Sequence, residues 1–150
     1  MIAAAALPST TNPTHRPADE ATVPVRTVVC YLRTANPGTA GQRLLDRQRA
    51  KLQREAATRG WTVAAWIEDL HQSGATLQRP GLREALALLA DHQGDALLAT
   101  DPARLAVTAE VADRLAAIAG RQGWRLLTVE ALQAPAPPSS PPAHQEVPLP

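Results

Sequence analysis

Arg33 stands where the apolar run "TVVCYL" (27–32) opens into a loop, and Thr34, Ala35, Asn36 and Pro37 follow it. Many enzymes place a reacting side chain at such a strand end, so the segment is either an active site or the shell of one. A second concentration of chemistry lies just beyond. Between positions 43 and 59 stand Arg43, Arg47, Arg49, Lys51, Arg54 and Arg59, against Asp46 and Glu55. Such a stretch is either a helix face that meets phosphates or a solvated helix surface. Other functional types are scattered. His15, His71, His92 and His144 have no ligand spacing, so no metal or other cofactor is expected. The single Cys30 cannot form an internal disulfide, and its apolar flanks suggest a buried thiol in a reducing compartment.

The elements that must position these residues are legible from about 26 to 130. "TVVCYL" reads as a strand buried on both faces. "RLLDRQRAKLQREAATRG" (43–60) reads as a helix with Leu45, Gln48, Leu52 and Ala56 on one face and Gly60 as its C-terminal cap. "WTVAAWIED" (61–69) is a second strand. "RPGLREALALLADHQG" (79–94) is a helix with Pro80 at its start and Gly94 at its end. "DALLAT" (95–100) is a third strand. "TAEVADRLAAIAGRQG" (108–123) is a helix capped by Thr108 and closed by Gly123, and "WRLLTVE" (124–130) is a fourth strand. This alternation predicts an α/β fold with a doubly wound, mostly parallel sheet and helices on both faces. Ligands meet such sheets at the carboxyl ends of the strands, here after Leu32, Asp69 and Thr100.

At 150 residues the chain has room for one domain. With no Phe, one Tyr and three Trp, its core must be aliphatic, and Tyr31, Trp61, Trp66 and Trp124 read as packing residues. The Ala-, Thr- and Pro-rich start and the Pro/Ser-rich end cannot bury enough apolar surface to order themselves. The expected organisation is a disordered segment 1–25, a folded domain 26–131 and a Pro-rich disordered tail 132–150. The start has no basic flank for a signal peptide, and no run approaches the roughly 20 apolar residues of a spanning helix. A cytoplasmic protein with no membrane partner is expected.

Three segments and a fourth, in order, resemble the catalytic domain of serine recombinases, the resolvase and invertase family. They are Tyr31-Leu32-Arg33-Thr34-Ala35, "LLDRQ" ending at Gln48, "EDLHQSGATLQRPGL" with Asp69, Ser73, Gly74 and Arg79, and "PARLAV" (102–107). The resemblance covers about 27 to 130. It implies a resolvase-like fold and phosphoryl transfer on DNA, in which a serine attacks a backbone phosphate and forms a 5′-phosphoserine link. By position, Arg33, Arg79 and Arg104 would cradle the phosphate and Gln48 would support them, because guanidinium forks stabilise the charge that builds in the transition state.

The chain departs from the family pattern where the chemistry is concentrated. The nucleophile position is Ala35, and a methyl group cannot attack phosphorus. Thr34 should point to the opposite face of the strand, and Thr39 and Ser73 lie on loops. The family's acidic residue falls on Ala103 and its second arginine on Val107, with Asp101 two residues early. The long helix and DNA-reading domain that follow in the family are expected to be missing, since Pro135 follows Glu130 closely. The sequence therefore points to a degenerate recombinase domain that is catalytically inactive. Its expected partners are the DNA backbone, bound weakly, or an intact serine recombinase. A protein-interaction module and a mobile-element remnant are the alternatives, and the same three arginines could instead pair with carboxylates such as Asp69 or cap strand ends.

Overall fold

A computed structural model describes residues 24–135. Its central strand is β1 (Thr27–Thr34), buried along nearly its whole length. Val28, Cys30 and Leu32 point into one apolar cluster, while Val29 and Tyr31 point into the other. A strand can be apolar at consecutive positions only when both faces are covered. The covers come from helix α1 (Gly38–Arg59) on one side and α2 (Pro80–Ala90) on the other.

Strands β2 (Thr62–Leu70), β3 (Ala96–Ala99) and β4 (Arg125–Thr128) run parallel to β1 in the order β2-β1-β3-β4. Between β3 and β4 lie a one-turn helix, α3 (Pro102–Leu105), and α4 (Ala109–Gln122). A short α5 (Val129–Gln133) ends the described chain. Leu45 and Leu52 of α1 and Val129 of α5 fill one face of the sheet. Leu82 and Leu89 of α2, with Leu115 of α4, fill the other. The doubly wound parallel sheet expected from the sequence is the observed one. Each buried leucine contributes about 1.5–3 kcal/mol, whereas a half-exposed pair such as Arg49–Glu68, at 3.0 Å, is worth at most about 1 kcal/mol. Aliphatic packing decides this fold.

The caps follow the sequence in three places. Gly60 and Gly123 take left-handed conformations at the ends of α1 and α4, and the Thr108 hydroxyl accepts from Val111 N at 3.2 Å. Elsewhere the boundaries differ. Helix α1 starts at Gly38 rather than 43. Helix α2 ends at Ala90, where His92 rather than Gly94 takes the left-handed turn. Gly94 serves another end: a Cβ there would lie 3.1 Å from Val29 Cγ2, so it admits close packing on β1. Strand β4 stops at Thr128 because its hydroxyl caps α5, accepting from Ala131 N at 3.2 Å. The "PARLAV" segment holds a helical turn that periodicity did not reveal.

Most of the expected tails, 1–25 and 132–150, lie outside the described residues. At their inner borders Val25 and Leu132 pack on the α1 side of the core. Among the described residues no helix is long and apolar enough to cross a membrane. Cys30 has no exposed surface, and burial pushes its thiol up to about 12. It should resist a disulfide reagent at neutral pH until denaturant unfolds the domain. Rapid labelling of the native protein would contradict this packing.

Candidate functional site

Strand β1 outruns its neighbour β3, whose pairing with it ends at Cys30. The backbone of Arg33 therefore has no strand partner on that side. Gln48 fills the gap from α1: its Oε1 accepts from Arg33 N at 3.0 Å and its Nε2 donates to Arg33 O at 2.9 Å. This buried amide substitutes for a strand and carries β1 on to Thr34. Gln48 thus supports the arginine through its backbone, not through the guanidinium.

Beyond this clamp the chain bends at Ala35, whose side chain is exposed. Thr34 is turned inward, 2% exposed, and its hydroxyl accepts from Asn36 N at 3.1 Å. Thr39 is exposed on the first turn of α1, and Ser73 is exposed with its hydroxyl accepting from Ala75 N at 2.9 Å.

The structure brings Arg33, Arg79 and Arg104 together, but not as an open fork. Arg33 is 4% exposed and donates to Arg104 O at 3.0 Å, Gln72 O at 2.7 Å and Ala103 O at 2.7 Å. Arg79 is fully buried and donates to Thr76 O, Arg104 O, Leu105 O and the Tyr31 hydroxyl. Carbonyls near the end of α3, which a helix leaves without partners, are the main acceptors. Arg104 completes the interlock by donating to Arg33 O at 2.9 Å. The expectation that Arg33 and Arg79 face a phosphate therefore meets a different geometry: carbonyls already occupy both guanidiniums. Nor do they pair with carboxylates, since neither forms a salt bridge among the described residues. Burial, with Arg104 and Arg79 nearby, lowers the pKa of Arg33.

Asp69 is an anchor. Its carboxylate accepts from Gly81 N at 2.7 Å and Leu82 N at 2.9 Å, capping α2, and from Tyr31 Oη at 2.6 Å. Burial, followed by this hydrogen bond, raises the Tyr31 pKa. Two of the close contacts around these side chains depend on glycine. A Cβ on Gly81 would lie 2.7 Å from Asp69 Oδ1, and one on Gly74 would lie 2.9 Å from Arg33 Cζ.

Of the three arginines only Arg104 reaches the surface, with its side chain 25% exposed. It pairs with Asp101 at 3.3 Å, and the Thr100 hydroxyl donates to the same carboxylate. Asp101 thus enters the site through Arg104, while Ala103 contributes only its carbonyl and Val107 lies exposed. Arg104, Asp101, Thr100, Gln48, Lys51 and Arg47 line a cavity of about 240 Å³. Strand order reverses between β1 and β3, so this cavity sits at the switch point of the sheet. It adjoins a larger groove of about 620 Å³ between α1 and α5, lined by Lys51, Arg54, Glu55 and Thr58 on the α1 side. The cations of α1 in this crevice were legible only as part of a charged run. No group of three or more possible metal ligands occurs among the described residues.

Comparison with known proteins gives this arrangement its relatives. The family described as "Resolvase, N terminal domain" matches residues 28–140. No curated protein matches. Among solved structures, the C-terminal catalytic domain of IS1535 TnpA, an IS607-like serine recombinase, is 30% identical with a TM-score of 0.54. The alignment covers 67% of this chain and 69% of that one. The N-terminal catalytic domain of TP901-1 integrase is 20% identical over 71% of this chain and 79% of that one, with a TM-score of 0.65. A resolvase family site-specific recombinase from Streptococcus pneumoniae is 17% identical over 71% and 73%, with a TM-score of 0.61. The motifs around Arg33, Gln48 and Arg79, the sheet that carries them and the family match agree: the chain belongs to the resolvase N-terminal domain family and is a serine recombinase catalytic-like domain related to DNA recombination.

Proposed function

We propose that this domain takes part in DNA recombination without cutting DNA, by weak contact with the DNA backbone and by acting beside an intact recombinase. The observation that carries the reading is Ala35. The exposed strand end offers a methyl group where the family's serine would stand, and the adjacent Thr34 hydroxyl is buried in a turn. Loss of a nucleophile lowers rates on the order of 10⁶-fold. The carbonyl-bound guanidiniums of Arg33 and Arg79 add to this, since transition-state charge needs donors aimed at the phosphate.

The test is a search for covalent protein–DNA adducts on denaturing gels after incubation with supercoiled and linear DNA. Wild type and Ala35→Ser should both give none. An adduct from the wild type, abolished by Thr39→Ala or Ser73→Ala, would overturn the reading. An adduct only from Ala35→Ser would leave the wild type inactive but show that the arginines can be recruited to phosphate.

A further inference from the structure

Helix α1 carries two classes of cation. Arg49 bonds Glu68 at 3.0 Å and lies 4.5 Å from the Trp66 ring centroid. Arg59 is bonded to Glu55 and lies 5.5 Å from the Trp61 ring centroid. These two are tied to the fold. Arg43, Arg47, Lys51 and Arg54 are different: all are exposed, and none forms a salt bridge among the described residues.

Their spacing puts them together. At 3.6 residues per turn they fall within an arc of about 80°. Asp46 and Glu55 lie outside that arc, leaving one sign of charge along the ridge. The buried positions Leu45, Gln48 and Leu52 lie well round the helix, so packing on the sheet forces this ridge toward solvent. The ridge borders the two concavities at the carboxyl ends of the strands: Arg47 lines the smaller, Arg54 the larger and Lys51 both. Asp101 and Glu130 stand on the far wall of the larger groove, and Glu55, already bonded to Arg59 and Gln133, lines it on the α1 side, so an anion is favoured at the outer α1 edge and opposed deeper in.

We infer that the Arg43–Arg47–Lys51–Arg54 ridge of α1, and not the Arg33/Arg79 cluster, is the surface that contacts the phosphate backbone of duplex DNA. This rests on the reading of the domain as DNA-associated, and it assigns that contact to residues outside the family's cleavage motif. With a rise of 1.5 Å per residue the ridge is about 16 Å long. B-DNA presents about five phosphates per strand over that length. Exposed cations on stems of this length can each meet one. The ridge carries no rigid reader of base edges, so the contact should be independent of sequence.

The experiment is fluorescence anisotropy with a mixed-sequence 20-base-pair duplex between 50 and 200 mM salt. Four phosphate contacts predict a log–log slope near −3.6, a loss of about 150-fold over that range. Lys51→Ala/Arg54→Ala should halve the slope, so that the same salt change costs only about 12-fold. Alanine is the best helix former, so the variants should remain folded. Arg114→Ala/Arg121→Ala on α4, across the sheet, removes equal charge and should leave the slope unchanged. Equal flattening by both double variants would reduce the effect to net charge and overturn the assignment. Absence of binding at 50 mM, or binding unmoved by the ridge variant, would overturn it as well. Failure of the non-cleaving reading would instead appear as a covalent adduct, a separate readout.

Discussion

Arg79→Ala is expected to lower the urea midpoint by about 1–3 M, corresponding to about 3 kcal/mol at the usual slopes. The guanidinium is fully buried and bridges two segments distant in sequence. It ties its own loop at Thr76 O (2.8 Å) to the end of α3 at Arg104 O (3.2 Å) and Leu105 O (2.5 Å). It also donates to the Tyr31 hydroxyl at 3.2 Å. Removing it deprives several buried acceptors of a donor and leaves a cavity the size of the side chain. Arg79→Lys should recover only part of the loss, because an ammonium cannot reproduce the fork. The opposing effect is the cost of burying a cation without a carboxylate. An unchanged midpoint in Arg79→Ala would mean that this cost equals the value of the bonds, and the cluster would not be a structural lock.

Asp69→Ala should destabilise the domain by a similar amount, about 3 kcal/mol, from a lost helix cap and an orphaned tyrosine hydroxyl. Asp69→Asn is the sharper test. Oδ1 accepts from Gly81 N, while Oδ2 accepts from Leu82 N and Tyr31 Oη. An amide must place its NH₂ against at least one of these donors, whichever way it is flipped. The asparagine variant should therefore lose nearly as much as alanine in equilibrium denaturation. A wild-type midpoint for Asp69→Asn would show that the N–H donors at the start of α2 do not depend on this carboxylate. Because Tyr31 links Asp69 to Arg79, the double change should cost less than the sum of the two singles.

Much of the fold was legible because its signals are local. Doubly buried β1 shows in consecutive apolar residues, α1 in the spacing of Leu45, Gln48, Leu52 and Ala56, and the helix ends in Gly60, Thr108 and Gly123. Where boundaries moved, a contact distant in sequence was responsible. β1 reaches Thr34 because Gln48, 15 residues on, completes its hydrogen bonding. Gly94 packs on β1 instead of closing α2 because the sheet brings Val29 against it.

The strand and helix alternation, the resolvase resemblance and the lack of a hydroxyl at position 35 are written in residue order alone. These need no three-dimensional information: periodicity is read along the chain, and a methyl group is no nucleophile in any fold. The tertiary structure alone decided what each cation does. Arg33 meets carbonyls of Ala103 and Arg104, some 70 residues away, and Arg49 and Arg59 are taken up by Glu68, Glu55 and neighbouring tryptophans. Arg43, Arg47, Lys51 and Arg54 remain facing solvent. Residue type determines that a guanidinium carries charge and five donors; only the packed neighbours determine whether those donors are already used.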